Sequence, residues 1–220
     1  MAYRRLGGSK QIGMIPSDPN FSLFHIHEAP EVRNVADMDD YTHVFRILLM
    51  GLPRTGKSAT RLRYCRDYFS SDYYASAGLE YSTRSLLVDG EKVKIQVWDI
   101  SGDTVYDAMR RTYYKGANGF IILYDVTNER SFDHAEQLVK ELDMYEQSEC
   151  PKVIIGNKAD KKAKREVDAN KALEWAQGWK LPLVEASAKY GTNIDSAFLK
   201  MVTALKERLS PWKQVYSFSK

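Results

Sequence analysis

The sequence has few cysteines, no long apolar run and no excess of charge of one sign. Its two cysteines, Cys65 and Cys150, are too few for a disulfide framework or a zinc site, so we expect a reducing compartment. No stretch approaches the roughly 18 apolar residues of a membrane span, and the basic start MAYRRLGGSK lacks the apolar core of a secretory signal. Lys and Arg number 32 against 29 Asp and Glu, which is too balanced for a general nucleic-acid binder. We therefore expect a cytoplasmic protein that reaches membranes, if at all, through partners.

Apolar patterning divides the chain into three parts. Residues 1–42 show no sustained period and predict a largely irregular N-terminal extension, residues 43–209 predict one domain, and residues 210–220 predict a short tail. Within the domain six strand patterns alternate with helical ones, and Asp89-Gly90 joins two of the strands as a hairpin. Ser131 is predicted to cap the helix that follows the strand FIILYDV. This order predicts an α/β fold with a mostly parallel six-stranded sheet, one antiparallel hairpin strand and helices on both faces.

A glycine-rich loop, GLPRTGKS at 51–58, lies between the first strand of the domain and its first helix. Glycines at 51 and 56 let the backbone approach phosphate oxygens, and the helix N-terminus adds partial positive charge. Lys57 is predicted to reach the β- and γ-phosphates, and the Ser58 hydroxyl is predicted to bind Mg²⁺. Pro53 lacks one N–H donor but needs only an ordinary backbone angle, so the loop can still bind phosphate. Arg54 either contacts phosphate or ribose or is a solvated cation. The predicted nucleotide contacts of this region are Gly51, Pro53, Arg54, Thr55, Gly56, Lys57, Ser58 and Ala59.

A second motif, NKAD at 157–160, indicates which base is bound. The Asp160 carboxylate can accept hydrogen bonds from the ring N1–H and the exocyclic amine of guanine, whereas adenine has no donor at the matching ring position. An unpaired buried acceptor costs about 1–3 kcal/mol, so adenine should be rejected. Asn157 and the aliphatic part of Lys158 are predicted to brace this loop and cover the base. The motif therefore predicts a guanine nucleotide.

From about Phe45 to Leu209 the chain resembles the Ras superfamily of small GTPases, and the Rab branch most closely. Five motifs occur in the family's order: GLPRTGKS, WDISGD at 98–103, YYKGANGFIILYDVT at 113–127, GNKAD and EASAK. The resemblance implies a phosphate-loop GTPase domain, or G domain, with GTP or GDP and Mg²⁺ as cofactors. It also implies a molecular switch that hydrolyses GTP, with effector proteins, an exchange factor and a GTPase-activating protein as partners.

The resemblance implies further roles, residue by residue. Phe69 is expected beside the base, and the Ala188 N–H is expected to donate to the guanine carbonyl, with Ser187 and Lys189 as its neighbours in the same motif. The Gly102 N–H is expected to bind the γ-phosphate. The implied ion ligands are Ser58, Ser76 and Asp99, of which Asp99 acts through a water. The implied catalytic set is Lys57, Ser76, Gly102 and Asp103.

The chain departs from the family pattern at two positions near the γ-phosphate and at its end. Asp103 replaces the glutamine that orients the attacking water, and Ser76 replaces a threonine. No cysteine follows Cys150, and the start Met-Ala excludes myristoylation, so we expect no lipid anchor in this chain. We expect slow GTP hydrolysis, because a carboxylate is shorter, accepts only and repels the anionic phosphate. The alternatives are a GTPase that tolerates both changes, a nucleotide-locked scaffold or subunit without significant hydrolysis and, more distantly, an ATP-using kinase.

Overall fold

The computed structural model describes five stretches of the chain: residues 32–35, 40–71, 79–103, 107–144 and 149–209, with the backbone alone at 107–110. Within them the strands are β1 Val32–Asn34, β2 His43–Met50, β3 Leu79–Val88, β4 Glu91–Ile100, β5 Gly119–Asp125, β6 Lys152–Asn157 and β7 Leu183–Glu185. The α-helices are α1 Lys57–Arg66, α2 Asp107–Tyr114, α3 Glu129–Met144, α4 Ala169–Gly178 and α5 Ile194–Leu209, and Lys162–Lys164 form one turn of 3₁₀ helix. The predicted tail and most of the predicted extension lie outside the described residues.

The described strands form one sheet in the order β1-β3-β4-β2-β5-β6-β7. The strands β4, β2, β5, β6 and β7 run parallel to one another, and β3 pairs antiparallel with β4. The prediction of a mostly parallel sheet with one antiparallel hairpin is confirmed. The predicted number of six strands is wrong, because β1 adds a seventh.

Strand β1 comes from the segment that we predicted to be largely irregular. It pairs antiparallel with the outer edge of β3, from Val32 opposite Val88 to Asn34 opposite Leu86. Three residues, VRN, are too short to show the alternation that identifies a strand. The edge of β3 supplies the hydrogen-bond partners, so this strand depends on tertiary pairing and has no local signal of its own.

The core lies on both faces of the sheet, because successive side chains of a strand point to opposite sides. In β2, Ile47 and Leu49 belong to the cluster that contains Phe198 of α5, while Leu48 belongs to the cluster that contains Phe132 of α3. The prediction of helices on both faces is therefore confirmed. In the part of the chain that the structure describes, no helix combines the length and the apolarity needed to cross a membrane.

Two local predictions have different outcomes. The hairpin between β3 and β4 is confirmed, and Asp89 and Gly90 have φ of 47° and 81°, as a tight hairpin turn requires. The predicted cap Ser131 is wrong, because α3 already begins at Glu129. Asn128 precedes the helix and its Oδ1 accepts from the Ser131 N–H at 3.3 Å, while the Ser131 hydroxyl donates to the Asn128 carbonyl at 2.6 Å. Both residues can cap a helix, and their spacing along the chain does not decide between them.

Candidate nucleotide-binding site

The predicted motifs meet at the carboxyl ends of the parallel strands, where ligands bind in open α/β sheets. The loop at 51–58 follows β2, Asp99 lies at the end of β4 and Gly102 just after it, the NKAD motif begins at the last residue of β6, and the motif EASAK begins at the last residue of β7. Strands β2 and β4 are neighbours, with Leu49 opposite Asp99. This sheet order brings the loop and Asp99 to the same edge, although they are about fifty residues apart in the sequence.

Two positions of the loop strongly favour glycine. Gly51 and Gly56 have φ of 139° and 96°, which side chains rarely adopt. An added Cβ at Gly51 would overlap the Leu123 carbonyl oxygen, and one at Gly56 would overlap the amide of Asn157. Gly56 is the N-cap of α1 and no side chain caps that helix end. An uncapped helix N-terminus behind a tight glycine loop is an arrangement that binds phosphate.

Lys57 places its ammonium inside this loop. Its Nζ donates to the carbonyls of Gly51 and Leu52, each at 3.0 Å, and the side chain is buried. Gly102 lies against the same group, because a Cβ added there would come within 2.7 Å of the Lys57 Nζ. The structure thus brings together the phosphate loop, its lysine and the turn after β4, which the sequence predicted to share the γ-phosphate.

Two oxygen-bearing side chains, Ser58 and Asp99, lie together at the predicted ion site. Asp99 is fully buried and accepts a hydrogen bond from the Ser58 side chain. Burial raises the pKa of Asp99, and the Ser58 hydrogen bond and the charges of Lys57 and Arg61 act in the opposite direction. A hydroxyl beside a carboxylate fits Mg²⁺, which prefers oxygen ligands. The third predicted ligand, Ser76, lies outside the described residues.

Asn157 connects the phosphate loop to the loop after β7. Its side chain is buried, with 1% exposed, and its Nδ2 donates to the Thr55 carbonyl at 2.8 Å. Its Oδ1 accepts from the Ala188 N–H at 3.1 Å. The predicted bracing function of Asn157 thus has a physical basis in two buried hydrogen bonds. The expected donation of the Ala188 N–H to a base stays a prediction.

The other polar residues of NKAD are also held by side chains. Lys158 donates from its Nζ to the Arg54 carbonyl at 2.7 Å and forms an ion pair with Asp125. One carboxylate oxygen of Asp160 accepts from the Ser187 hydroxyl at 2.6 Å. Within the described stretches Ser187 is the only residue that hydrogen-bonds to this carboxylate, so its second oxygen is available to a ligand. Ser187 therefore orients Asp160.

The remaining predicted residues surround this site. Ala59 is half-buried against the core, and Thr55 is buried with its hydroxyl on the Leu52 carbonyl at 2.9 Å. Phe69 is half-buried in the segment after α1. The exposed members are Pro53, Arg54, Asp103 and Lys189. Asp103 donates from its backbone N–H to the Ser101 hydroxyl at 3.4 Å, directly beside Gly102.

Sequence reasoning missed three residues that position the site. Arg63 of α1 donates to the carbonyls of Ala188 and Lys189 at 2.9 and 2.8 Å. Asp125 holds Lys158, and Arg61 lies beside Asp99. Asp125 could have been found as a carboxylate at the end of a buried strand, but neither arginine has a sequence signal, because cations on helices are usually solvated.

This fold and this site define a phosphate-loop nucleotide-binding protein. The sequence model of the Ras family matches residues 46–207. The chain is also similar to the Ras-related protein Rab-1A of Dictyostelium discoideum, with 36% identity over 171 residues that cover 78% of this chain and 85% of that protein. The chain therefore belongs to the Ras family and is a Rab-like small GTPase that binds GTP and GDP with Mg²⁺. The resemblance and the G-domain fold are confirmed.

Proposed function

We propose that this protein is a guanine-nucleotide switch whose own GTP hydrolysis is slow. The observation that carries this proposal is Asp103, which stands where the family pattern has the catalytic glutamine and directly follows Gly102, the residue that lies against the Lys57 ammonium. A glutamine amide accepts from the attacking water and donates toward the transition state. The carboxylate of Asp103 only accepts, is one methylene shorter and repels the γ-phosphate oxygens. Both differences slow the chemical step.

The proposed division of roles follows the contacts around the loop. Lys57 and the Gly102 N–H would hold the γ-phosphate, and Ser58, Ser76 and Asp99 would hold the Mg²⁺ ion, which would neutralise phosphate charge there. The neighbouring positions of Lys57 and Gly102 and of Ser58 and Asp99 support these roles. Loss of the γ-phosphate releases the segments around Ser76 and Gly102, which is how such a switch changes state.

Base recognition is proposed for the loops after β6 and β7. The carboxylate of Asp160, oriented by the Ser187 hydroxyl, accepts from the ring N1–H and the exocyclic amine of guanine, one donor at each oxygen. Asn157 and Lys158 hold the base loop against the phosphate loop, and Phe69, Ala188 and Lys189 complete the contacts with the base. The bridge from Asn157 to the Thr55 carbonyl supports this arrangement, because it ties the base loop to the phosphate loop.

An exposed aromatic surface supports the proposal that effector proteins bind on the side of β3 and β4. Tyr81 is 56% exposed and stacks on Trp98 with ring centroids 5.0 Å apart. Trp98 also contacts Tyr113 of α2, at 6.2 Å between ring centroids. Rigid exposed aromatic side chains are frequent anchors of protein interfaces. Exchange factors and GTPase-activating proteins are proposed as further partners, as for other members of the family. In other GTPases an arginine from an activating protein increases the hydrolysis rate by about 10³–10⁵.

A single-turnover assay tests the slow hydrolysis. The purified protein is loaded with GTP, and the rate of GDP formation is compared for the natural protein, Asp103→Gln and Asp103→Asn. We expect Asp103→Gln to hydrolyse GTP about tenfold faster or more, because it restores both the reach and the donor. Asp103→Asn removes the charge but keeps the shorter side chain, so it separates repulsion from reach. A rate that falls in Asp103→Gln would contradict the proposal.

The second candidate is a GTP-bound scaffold that does not hydrolyse its nucleotide, and Asp103 favours it as well. This candidate predicts GTP in the purified protein and no turnover in the natural chain over hours. A slow but measurable rate, with GDP present after purification, would exclude it.

A further inference from the structure

A buried arginine of α1 lies between the predicted ion site and strand β3. Arg61 is 5% exposed, donates from Nη1 to the Ser82 hydroxyl at 2.6 Å and pairs through Nη2 with the Glu80 carboxylate. Its Nε lies 3.9 Å from Asp99 Oδ2 and has no hydrogen-bond acceptor among the described residues. The guanidinium thus has two carboxylates within reach, Glu80 on one side and Asp99 on the other.

The two carboxylates differ in their surroundings. Glu80 is 54% exposed, so water solvates much of its charge, whereas Asp99 is fully buried. Charges interact more strongly where water is excluded. A guanidinium that is buried must also be paired, since an isolated charge inside a protein is strongly destabilising. Arg61 is therefore, with Lys57, one of the cations whose charge acts on the carboxylate that is proposed to serve the ion.

We infer that Arg61 is a positioning residue that lowers the affinity of the site for Mg²⁺ by competing with the ion for Asp99. The inference rests on the proposed assignment of Asp99 to the ion. Glu80 limits this competition, because it holds the guanidinium toward β3. The charge series Glu80, Arg61 and Asp99 thus connects β3 to the ion site and sets how tightly the Mg²⁺–nucleotide complex is held.

The inference predicts shifts of opposite sign for two substitutions. Arg61→Met removes a cation beside Asp99, which destabilises the ion-free state more than the ion-bound state, so Mg²⁺ binds more tightly. Glu80→Gln removes the anion that draws the guanidinium away, so Arg61 interacts more with Asp99 and Mg²⁺ binds more weakly. Damage to the fold alone would weaken ion binding in both variants.

The experiment follows the release of a fluorescent GDP analogue from the protein across a series of Mg²⁺ concentrations. The readout is the Mg²⁺ concentration at which release is slowed by half. We expect this concentration to fall about fivefold or more in Arg61→Met and to rise about twofold or more in Glu80→Gln. Arg61→Lys keeps the charge and should stay near the natural value. Arg84→Met is the matched control, because Arg84 pairs with Asp195 and should leave the midpoint unchanged.

Shifts of the same sign in Arg61→Met and Glu80→Gln, or an unchanged midpoint in Arg61→Met, would overturn the inference. Circular dichroism checks the fold of each variant. If Arg61→Met does not fold, Glu80→Gln decides, and a midpoint that fails to rise overturns the inference. Asp99→Asn separates this inference from the proposed site: an unchanged midpoint in that variant refutes the assignment of Asp99 itself. A large rise in Asp99→Asn with no shift in Arg61→Met refutes only the role of Arg61.

Discussion

Asn157→Ala tests the connection between the phosphate loop and the loop after β7. The natural side chain makes two hydrogen bonds to buried backbone groups, the Thr55 carbonyl at 2.8 Å and the Ala188 N–H at 3.1 Å. Alanine leaves both groups without this partner, and an unsatisfied buried polar group costs about 1–3 kcal/mol. We therefore expect the free energy of unfolding to fall by about 2–4 kcal/mol, allowing for partial relaxation.

The same substitution should also weaken nucleotide binding. The Asn157 side chain packs against Gly56, because a Cβ added at Gly56 would overlap the Asn157 amide. Loss of the Asn157 side chain therefore loosens the loop that binds phosphate. We expect the affinity for GDP to fall about tenfold or more, since 1.4 kcal/mol corresponds to a factor of ten. Urea unfolding at fixed Mg²⁺ measures the stability, and calorimetry with GDP measures the affinity.

Asn118→Ala is the matched control. Asn118 Oδ1 accepts one hydrogen bond, from the Arg46 N–H at 2.7 Å, before β5 and at the opposite end of that strand from the site. This control should lose about 1–2 kcal/mol of stability and keep its affinity for GDP. The reasoning is refuted if Asn157→Ala loses less than about 1 kcal/mol, or if its affinity for GDP equals that of the control.

Two further predictions concern the base and a cysteine. In Asp160→Ala the affinity for GDP should fall about tenfold to a hundredfold, because two donors of guanine lose their acceptor, while ADP binding stays unchanged. Competition calorimetry measures both, and an equal loss for the two nucleotides would show that Asp160 does not read the base. Burial raises the pKa of Cys65 to about 11, and only the thiolate is nucleophilic. Alkylation of Cys65 by iodoacetamide, followed by mass spectrometry, should therefore be slow at pH 8 and accelerate toward pH 11. If Cys65 were alkylated at pH 8 as fast as a cysteine in a short peptide, the prediction of a raised pKa would be refuted.

Local chemistry was sufficient to predict most of the sheet and most of the site. Asp89-Gly90 predicts its hairpin because the backbone angles of the turn are properties of those two residues. The apolar runs of β2, β5 and β6 predict strands buried on both faces for a similarly local reason. The glycines at 51 and 56 predict a phosphate loop, and the structure shows that larger residues would overlap Leu123 and Asn157. The hairpin and the strand patterns thus depend on neighbours in the chain.

Other features depend on partners that are distant in the sequence. Strand β1 has no pattern of its own and forms because the edge of β3 accepts it. The bridge from Asn157 to the Thr55 carbonyl, at 2.8 Å, joins residues 102 positions apart.

The amino-acid sequence by itself determined the family and the class of nucleotide, because backbone angles and motif spacing encode them locally, and it predicts the residues that contact the nucleotide. Only the tertiary structure decided that Arg61 faces Asp99 and that Arg63 holds the loop after β7. A long cationic side chain on a helix looks the same in sequence whether it is solvated or buried. Its electrostatic role depends on which carboxylates and carbonyls the fold places beside it, at separations of 38 residues for Asp99 and 125 for Ala188.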